Sequence, residues 1–379
     1  VMFISQGNFH VHHLAMSFMS FAGLIALFKV VSRRLEHGKG IYLLLLALLP
    51  SLWFWGSGPL KEGLVLFFFG IALLNIDRIR THGWHWRPSL WSALCLFGIF
   101  MTKQYIFLAF VPAMALLLWL RDEQSLRKEA LRFGIVSLVI VLGAFSLGRI
   151  SSSLNLPNII AQKQQDFVNV AKGGIYLETK EIVAYLPYSN KDVVIEQDSL
   201  RMIREGATFI YWQKGVAKRD TLEGTGDGST LYTLAYENVP AGSRYTPPDL
   251  GDGWKGLILA APVAFFTTML RPTPGGGDSM MVLGAGIENG LVIILIAIGM
   301  LFLLQHRPSK GRDLLWFTVL FTGILYILTG WVTPAEGALV RYKVPALPFL
   351  AYVIAIGWQN TRAARMLDNW IWKNKELPS

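Results

Sequence analysis

The sequence predicts a polytopic α-helical membrane protein with about nine spanning helices, one interfacial or re-entrant helix and a small α+β insert outside the membrane. Of its 379 residues 53% are hydrophobic, including 23 Phe and 13 Trp, so it is far more apolar and aromatic than a soluble domain. Lys and Arg concentrate in alternate connections between apolar segments. That alternation is typical of a chain that obeys the positive-inside rule.

The spanning helices are predicted from apolar segments of up to about 20 residues, the length that crosses a hydrocarbon core. The basic connections 32–39, 77–88 and 121–132 alternate correctly between the early spans and are predicted to be cytoplasmic. By the same alternation residues 1–13 lie outside, so we expect a further helix before Val1. The predicted spans are 14–31, 40–56, 63–76, 89–102, 104–120, 132–150, 286–305, 314–331 and 343–358.

The chain is predicted to have three parts. Residues 1–150 hold the N-terminal membrane helices, 151–253 an extracytoplasmic insert, and 254–379 an interfacial helix with the C-terminal membrane helices. The insert carries ten Lys and Arg against thirteen Asp and Glu, so it is mildly acidic where the rest of the chain is basic. Large translocated domains escape the positive-inside bias, which agrees with a place outside.

Within the insert, apolar residues between polar ones predict a surface helix over 158–172. Residues 208–212 and 230–234 are rich in β-branched and aromatic side chains and are bounded by Gly and Asp turns, so they predict strands. Residues 240–253 are rich in Pro and Gly and are expected to form a linker.

The segment 254–270 is apolar but is predicted not to cross the membrane. If it crossed, the loop with Arg307, Lys310 and Arg312 would lie outside, against the positive-inside rule. Pro262 in its middle and charged residues at its ends suit a helix that lies in the outer interface or re-enters.

Charge and motifs exclude or disfavour several classes of protein. The net charge of +10 sits in short loops beside apolar segments, which indicates lipid and not nucleic acid as its partner. The single cysteine, Cys95, excludes a disulfide framework, and the glycine run 275–277 has no following Lys-Ser or Lys-Thr, which excludes a P-loop. His10, His12 and His13 lack the spacing of a zinc-binding helix, so no metal site is predicted. The absence of a duplicated half disfavours a transporter.

Five cations are predicted on the outer membrane surface, the side that the positive-inside rule disfavours. Charges there need a partner or water, so they are hypotheses of function, with snorkelling anchors at helix ends as the alternative. Such a cluster suits a phosphate or pyrophosphate head group, to which Arg offers a bidentate fork and Lys a point charge. The five are Lys61, Lys103, Arg271, Arg341 and Lys343.

Four carboxylates share this outer layer: Glu62, Asp278, Glu288 and Glu336. Transfer of a sugar to a hydroxyl needs a base, and a carboxylate near the phosphate leaving group can act as that base or hold a divalent cation. Glu62 and Glu336 stand in short turns with Gly and Pro, where backbone can approach a ligand, and they are the catalytic candidates. Pairing of Glu62 with a neighbouring cation and solvation of Glu336 are the alternatives. No other cofactor is predicted.

Several short motifs are spread over most of the chain. They are Pro50-Ser51-Leu52-Trp53-Phe54-Trp55-Gly56-Ser57-Gly58 with Lys61-Glu62, Lys163-Gln164-x-Asp166-Phe167, Leu270-Arg271-Pro272, Glu288-Asn289 and Arg341-Tyr342-x-x-Pro345. Together they resemble polytopic bacterial proteins of the GT-C glycosyltransferase superfamily, as in protein O-mannosyltransferase-like proteins.

The resemblance implies a transferase that takes a sugar from a polyprenyl-phosphate donor on the periplasmic side. It also implies that Arg341 and Tyr342 contact the lipid phosphate. The catalytic acid of that superfamily usually lies in the first outer loop after the first helix, a loop that this sequence lacks, so no residue here inherits that role. The predicted substrate- and phosphate-binding set is Lys61, Lys103, Gln104, Arg271, Glu288, Arg341, Tyr342 and Lys343.

The leading prediction is a multi-pass glycosyltransferase of the bacterial inner membrane, with its site and insert facing the periplasm. Its expected partners are a polyprenyl-phosphate-linked sugar, membrane lipids and an envelope glycan, lipid or protein as acceptor. A polysaccharide polymerase or ligase would use the same cationic chamber. A non-catalytic subunit, from a different class, would dock envelope partners through residues 151–253. Fold analogy does not choose between these chemistries.

Overall fold

A computed structural model describes residues 8–120, 125–150, 155–187, 193–197, 200–203, 205, 207–213, 220–223, 232–275 and 279–372. Within them the chain forms a bundle of helices with one antiparallel sheet. Outside the described residues lie 1–7, 121–124, 276–278 with Asp278, 373–379 and, within the insert, 151–154, 188–192, 198–199, 204, 206, 214–219 and 224–231, which include the first two residues of the strand predicted over 230–234.

The helical part of the described chain consists of fourteen α-helices and a 3-10 turn, Val344–Ala346. The α-helices are α1 (Phe9–Ser32), α2 (Lys39–Leu48), α3 (Pro50–Ser57), α4 (Lys61–His82), α5 (Trp86–Thr102), α6 (Gln104–Trp119), α7 (Leu126–Ile150), α8 (Leu156–Lys172), α9 (Gly253–Leu270), α10 (Met280–Gln305), α11 (Arg312–Val332), α12 (Glu336–Lys343), α13 (Leu347–Trp358) and α14 (Arg362–Trp372).

Among the described residues, six helical segments are long and apolar enough to cross a membrane: α1, α7, α9, α10, α11 and the run from α12 through α13. The bent pair of α2 and α3 makes a seventh if it counts as one span. The predicted spans over 89–102 and 104–120 are the shorter helices α5 and α6, with 17 and 16 residues. The span predicted over 63–76 is α4, which carries charged residues in both end turns. The apolar helices indicate a multi-pass membrane protein.

Two of the predicted spans are interrupted at proline. The span over 40–56 is two helices, α2 and α3, at 58° to each other. Leu49 between them is extended (φ −75°, ψ 104°), because Pro50 disfavours the helical region for the residue before it. The span over 343–358 starts earlier than predicted, as α12, and passes through the 3-10 turn that contains Pro345.

The long helices run between two ends of the bundle, named here the Glu62 end and the Asp313 end. α1 and α4 are parallel, because Arg33 at the end of α1 pairs with Asp77 near the end of α4. The run from α12 through α13 is parallel to α10: Lys343 at the end of α12 binds Asn289 on α10, and Trp358 at the end of α13 donates to the carbonyl of Leu295, further along α10. The helices α1, α4, α6, α10 and α13 run toward the Asp313 end, and α2 with α3, α5, α7 and α11 run back.

Helix α9 starts from the Glu62 end and stops part-way along its neighbour. It is antiparallel to α11: the carbonyl of Ala264 lies against Gly330, and Thr268 Oγ1 donates to the carbonyl of Tyr326 at 2.8 Å. Tyr326 is only about 9 Å along the helix axis from the end of α11 at Val332. The chain then turns back, and α10 starts again from the Glu62 end. A segment that enters a bilayer and returns would have this geometry.

Buried ion pairs join four helices at the Asp313 end. Arg34 lies between Asp77 at 2.8 Å and Asp313 at 3.3 Å. Arg80 donates to Asp313 and, at 2.8 Å, to the carbonyl of Leu120. Because the charges and the carbonyl come from α1, α4, α11 and the end of α6, loss of one partner would leave a buried charge unpaired.

The insert folds as a seven-stranded antiparallel sheet in the order β3-β4-β7-β1-β2-β5-β6. Its small core includes Leu177, Ala184 and Phe209. The helix predicted over 158–172 is confirmed as α8, and the strand predicted over 208–212 is confirmed as β5. The strands are β1 (Gly174–Glu178), β2 (Ile182–Pro187), β3 (Val193–Gln197), β4 (Leu200–Ile203), β5 (Thr208–Gln213), β6 (Asp220–Glu223) and β7 (Tyr232–Asn238).

The expectation of a simple linker over 240–253 is wrong, because this segment is hydrogen-bonded to the bundle. Arg244 forms an isolated antiparallel bridge with Ala335. Around it, the amide of Tyr245 donates to the carbonyl of Pro334 at 2.9 Å. We call residues 240–252 the strap, since they fasten the sheet to the loop before α12.

The close contact between Gly23 on α1 and Gly70 on α4 allows a stability test. A Cβ on Gly70 would lie 2.0 Å from the carbonyl oxygen of Gly23, whereas a Cβ on Gly134 would meet nothing within 4 Å. We expect Gly70→Ala to destabilise the protein by about 1–3 kcal/mol, because α1 and α4 must separate. Gly134→Ala should be neutral or slightly stabilising. Unfolding midpoints in detergent would show this difference, and equal midpoints for the two variants would contradict the close packing.

Candidate functional site

The centre of the candidate site is a buried carboxylate that holds two cations. Glu62, in the first turn of α4, accepts from Lys103 Nζ at 2.5 Å and from Arg341 Nε at 2.6 Å. A second bond from the Arg341 guanidinium to Glu62 Oε2 measures 3.1 Å. Three distant parts of the chain therefore meet at one carboxylate.

Local backbone geometry explains how Lys103 reaches this position. Lys103 is the single residue between α5 and α6, and its backbone is extended (φ −150°, ψ 95°). The two helices are thereby separated at this residue, which directs the side chain across the bundle to α4. Arg341 comes from α12, a helix of eight residues that lies across the Glu62 end.

The trio of Glu62, Lys103 and Arg341 has one negative and two positive charges. Glu62 is fully buried and Lys103 is 9% exposed, whereas the side chain of Arg341 is 31% exposed. Burial lowers the pKa of Lys103 below its ordinary value, and the charge of Glu62 acts against that shift. With all three groups ionised, the trio keeps a net charge of +1, which is expressed where Arg341 reaches the surface.

Aromatic rings surround both cations. Lys103 Nζ lies 5.2 Å from the ring centre of Tyr342 and 5.9 Å from that of Tyr105. The guanidinium of Arg341 lies 5.8 Å from the ring centre of Trp55 on α3. These rings offer cation–π contacts to the charges.

A second pair lies beside the trio, where the strap meets the bundle. Arg271 Nη1 donates to Glu336 Oε1 at 2.5 Å, and its guanidinium lies 4.5 Å from the ring centre of Tyr245 in the strap. Glu336 is fully buried, whereas the Arg271 side chain is 37% exposed. Burial raises the pKa of Tyr245 above its ordinary value. Arg271, like Arg341, is thus a partly exposed arginine held by a fully buried carboxylate.

The ammonium group of Lys343 is hydrogen-bonded within the protein. It is buried, and its Nζ donates to the carbonyl of Arg271 at 2.8 Å and to Asn289 Oδ1 at 2.5 Å. The amide nitrogen of Asn289 donates in turn to the carbonyls of Met269 and Leu270, each at 3.1 Å. The two side chains therefore bind the backbone at the end of α9, which stops inside the bundle with carbonyls that need donors.

A cavity of about 790 Å³ opens between α3, α10, α12 and the strap. Glu288 on α10 lies in its wall and accepts from Ser51 Oγ at 2.7 Å and from the Ser51 amide at 3.1 Å. Trp55, whose ring is in cation–π contact with Arg341, is also in the wall. The remaining described residues of the wall are mostly apolar or small: Pro50, Phe54, Gly242, Ser243, Ser279, Met281, Val282, Gly284, Ala285, Gly337 and Val340.

The structure brings together most of the residues that the sequence singled out. Phe167 and Tyr342, from two of the quoted motifs, are in ring contact at 6.3 Å, and Gln164 donates to the carbonyl of Trp331 at 2.6 Å. Lys61 and Gln104 are exposed at the starts of α4 and α6. Five further side chains belong to the site but were given no role from the sequence. Ser51, Trp55 and Asn289 lie within the quoted motifs. Tyr105 and Tyr245 lie in no motif that would have identified them.

The positions of the side chains do not support the predicted option of a divalent cation at Glu62 or Glu336. In the part of the chain that the structure describes, no three His, Cys, Asp or Glu residues come together in a way that could hold a metal ion. Glu62 and Glu336 instead bind arginines.

Comparison with protein-family models, with curated proteins and with solved structures gives no match for this chain.

The trio predicts a strong effect of removing its carboxylate. In Glu62→Gln, Lys103 would remain buried without a countercharge, so we expect a loss of about 3–5 kcal/mol of stability. Adding Lys103→Met to Glu62→Gln should restore part of the loss, since it removes the stranded charge. Thermal unfolding in detergent measures both, with Glu181→Gln in the exposed part of the insert as the matched control. A Glu62→Gln midpoint like that of wild type would contradict the role of this ion pair.

Proposed function

We propose that this chain is an integral membrane glycosyltransferase that moves a sugar from a polyprenyl-phosphate donor to an acceptor of the bacterial cell envelope. The observation that carries the proposal is that one buried carboxylate binds two cations, of which Arg341 is partly exposed beside an apolar cavity. A partly exposed cation beside an apolar cavity favours an amphiphile with an anionic head. A phosphate or diphosphate attached to an isoprenoid chain is such a molecule.

Arginine suits the phosphate role because its planar fork can keep one carboxylate and still offer N–H donors to a second anion. Glu62 binds Arg341 through Nε and Nη2, which leaves the guanidinium with further donors. As the sugar leaves, negative charge grows on the phosphate, and a preorganised cation stabilises that change without rearranging. Arg271, held by Glu336, would serve as a second cation for the same head group.

We also propose a topology of nine crossings with α9 as a re-entrant helix. The directions of the helices support it, because α9 and α10 both start from the Glu62 end. The Asp313 end would be cytoplasmic under the positive-inside rule. Basic residues near that end include Arg33, Arg34, Arg78, Arg80, Arg307, Lys310 and Arg312. The sheet, the strap and the cavity would then face the periplasm.

A non-catalytic subunit that docks envelope partners is the second candidate. One observation favours it: both carboxylates that the sequence proposed as catalytic, Glu62 and Glu336, are fully buried and bound to arginine. A subunit of this kind would bind its partner through the insert and would not turn over a donor. A polymerase or ligase differs from the transferase only in its acceptor.

The proposal is tested by donor binding to the full-length protein in lipid nanodiscs. The probes are polyprenyl-phosphate-linked hexoses and pentoses, each radiolabelled in the sugar. We expect Arg341→Ala to weaken donor binding by about 10–100-fold, the effect of losing a charge-assisted hydrogen bond. Arg341→Lys should recover only part of it, because lysine lacks the fork.

Arg87→Ala is the matched control, since Arg87 is an exposed cation at the opposite end of the bundle, stacked on Trp86. It should bind the donors as wild type does. Binding that is equal in Arg341→Ala and wild type would reject this phosphate site. No binding or turnover of any donor by wild type would reject the transferase and favour the docking subunit.

A further inference from the structure

The cavity wall contains a carboxylate, Glu288, that binds neither Arg271 nor Arg341. Glu288 lies half-buried on α10, and it is the acidic residue among the described residues that line the cavity. Its partner in hydrogen bonding is Ser51, a neutral residue. Within the described part of the chain it forms no ion pair, in contrast to Glu62 and Glu336.

The position of the Glu288 carboxylate is fixed by the start of α3. Its Oε2 accepts two bonds, from the hydroxyl of Ser51 at 2.7 Å and from the amide of Ser51 at 3.1 Å. Its Oε1 has only a longer contact with the same amide, at 3.4 Å. One oxygen is therefore held by two good donors, and the other retains accepting capacity at the wall of the cavity.

The two carboxylates proposed from the sequence are poorly placed to take a proton from a substrate. Both are fully buried, and neither lies in the cavity wall. Glu62 uses both its oxygens for cations, and Glu336 binds Arg271 through Oε1, while its Oε2 is buried away from the cavity wall. A general base must come within hydrogen-bond reach of the proton that it abstracts. Glu288 meets this geometric condition for a group that enters the cavity.

We infer that Glu288 is the general base of the proposed transferase and that it acts on a neutral, hydroxyl-bearing acceptor bound in the cavity. The inference rests on the proposed function. In the step, the acceptor oxygen forms a bond to the anomeric carbon, and its proton passes to Glu288. The bond between the anomeric carbon and the phosphate oxygen breaks, and its electron pair leaves with the phosphate, which Arg341 stabilises. The proton later passes from Glu288 to water.

The wall of the cavity supports this class of acceptor. Phe54 and Trp55 place aromatic rings in the wall, on which a sugar ring can stack, and Gly242, Gly284 and Ala285 add little side-chain volume. The carboxylate of Glu288 would repel an anionic acceptor. The acceptor is therefore proposed to be the hydroxyl of a neutral glycan or of another neutral alcohol.

The test separates proton transfer from structural support. Glu288→Gln keeps an oxygen that can accept from Ser51 but cannot take a proton. We expect its turnover, measured as labelled sugar released to water or transferred to envelope extract, to fall by about 10²–10⁴-fold. Its affinity for the donor should stay within about threefold of wild type, because the Arg341 site is intact.

Two further variants distinguish a base from a helix cap. Glu288→Ala leaves space in the cavity, and added formate should restore part of its turnover by serving as the base. Ser51→Ala keeps the carboxylate but removes one of its bonds, so it should lower turnover much less than Glu288→Gln does. Lys343 is the cation that acts electrostatically on Glu288, and it is unchanged in Glu288→Gln, so the acidic limb of the wild-type pH profile of kcat/KM should be absent from the residual activity of that variant.

The outcomes separate the two proposals. If wild type turns over a donor and Glu288→Gln does so at a similar rate, the inference about Glu288 is wrong and the transferase stands. If Glu288→Ala loses turnover and formate restores none of it, Glu288 is a cap for α3 and not a base. If wild type turns over no donor, the proposed function fails, and the base fails with it.

Discussion

The structure depends on the cost of placing charge inside an apolar bundle. Glu62 is fully buried, and it can remain there only because Lys103 and Arg341 come to it from the α5–α6 break and from α12. That requirement joins the N-terminal and C-terminal helices at one point. It also leaves more positive than negative groups in the trio, and of these Arg341 is partly exposed. At the Asp313 end, by contrast, Arg34, Arg80 and their carboxylates close on one another and serve to hold helices together.

The unmatched carbonyls at the end of α9 impose a second constraint. A helix that stops inside a bundle leaves acceptors with no intrahelical donor. Lys343 and Asn289 supply the donors, and in doing so they hold the backbone of Arg271. The guanidinium of Arg271 is thereby kept beside Glu336 and Tyr245, under the strap. Two of the residues that the sequence proposed for phosphate thus have different tasks: Lys343 supports, while Arg271 remains partly exposed.

Much of the fold could be predicted because its signals are local. Apolar length predicts the helices of the bundle, the spacing of apolar residues between polar ones predicts the helix α8, and turn residues with β-branched and aromatic segments predict the strand β5. The errors lie where local signals compete. Pro50 breaks an apolar segment whose composition predicts a single span. The composition of the strap predicts a linker, because its hydrogen-bond partners, the carbonyl of Pro334 and the amide of Glu336, are far away in the sequence. The nine crossings and the side that each end faces stay predictions.

The sequence by itself determined the apolar, helical class of the protein and predicted which charged residues share one end of it, since composition, apolar length and charge alternation are additive along the chain. It placed Glu62, Lys103, Arg271, Glu288, Arg341 and Lys343 at one end of the bundle without saying which would pair. Only the tertiary structure decided that Glu62 and Glu336 hold arginines, that Lys343 binds carbonyls and that Glu288 faces a cavity. The physical reason is that pairing depends on distances of a few ångströms between residues up to 279 positions apart, and periodicity carries no such information.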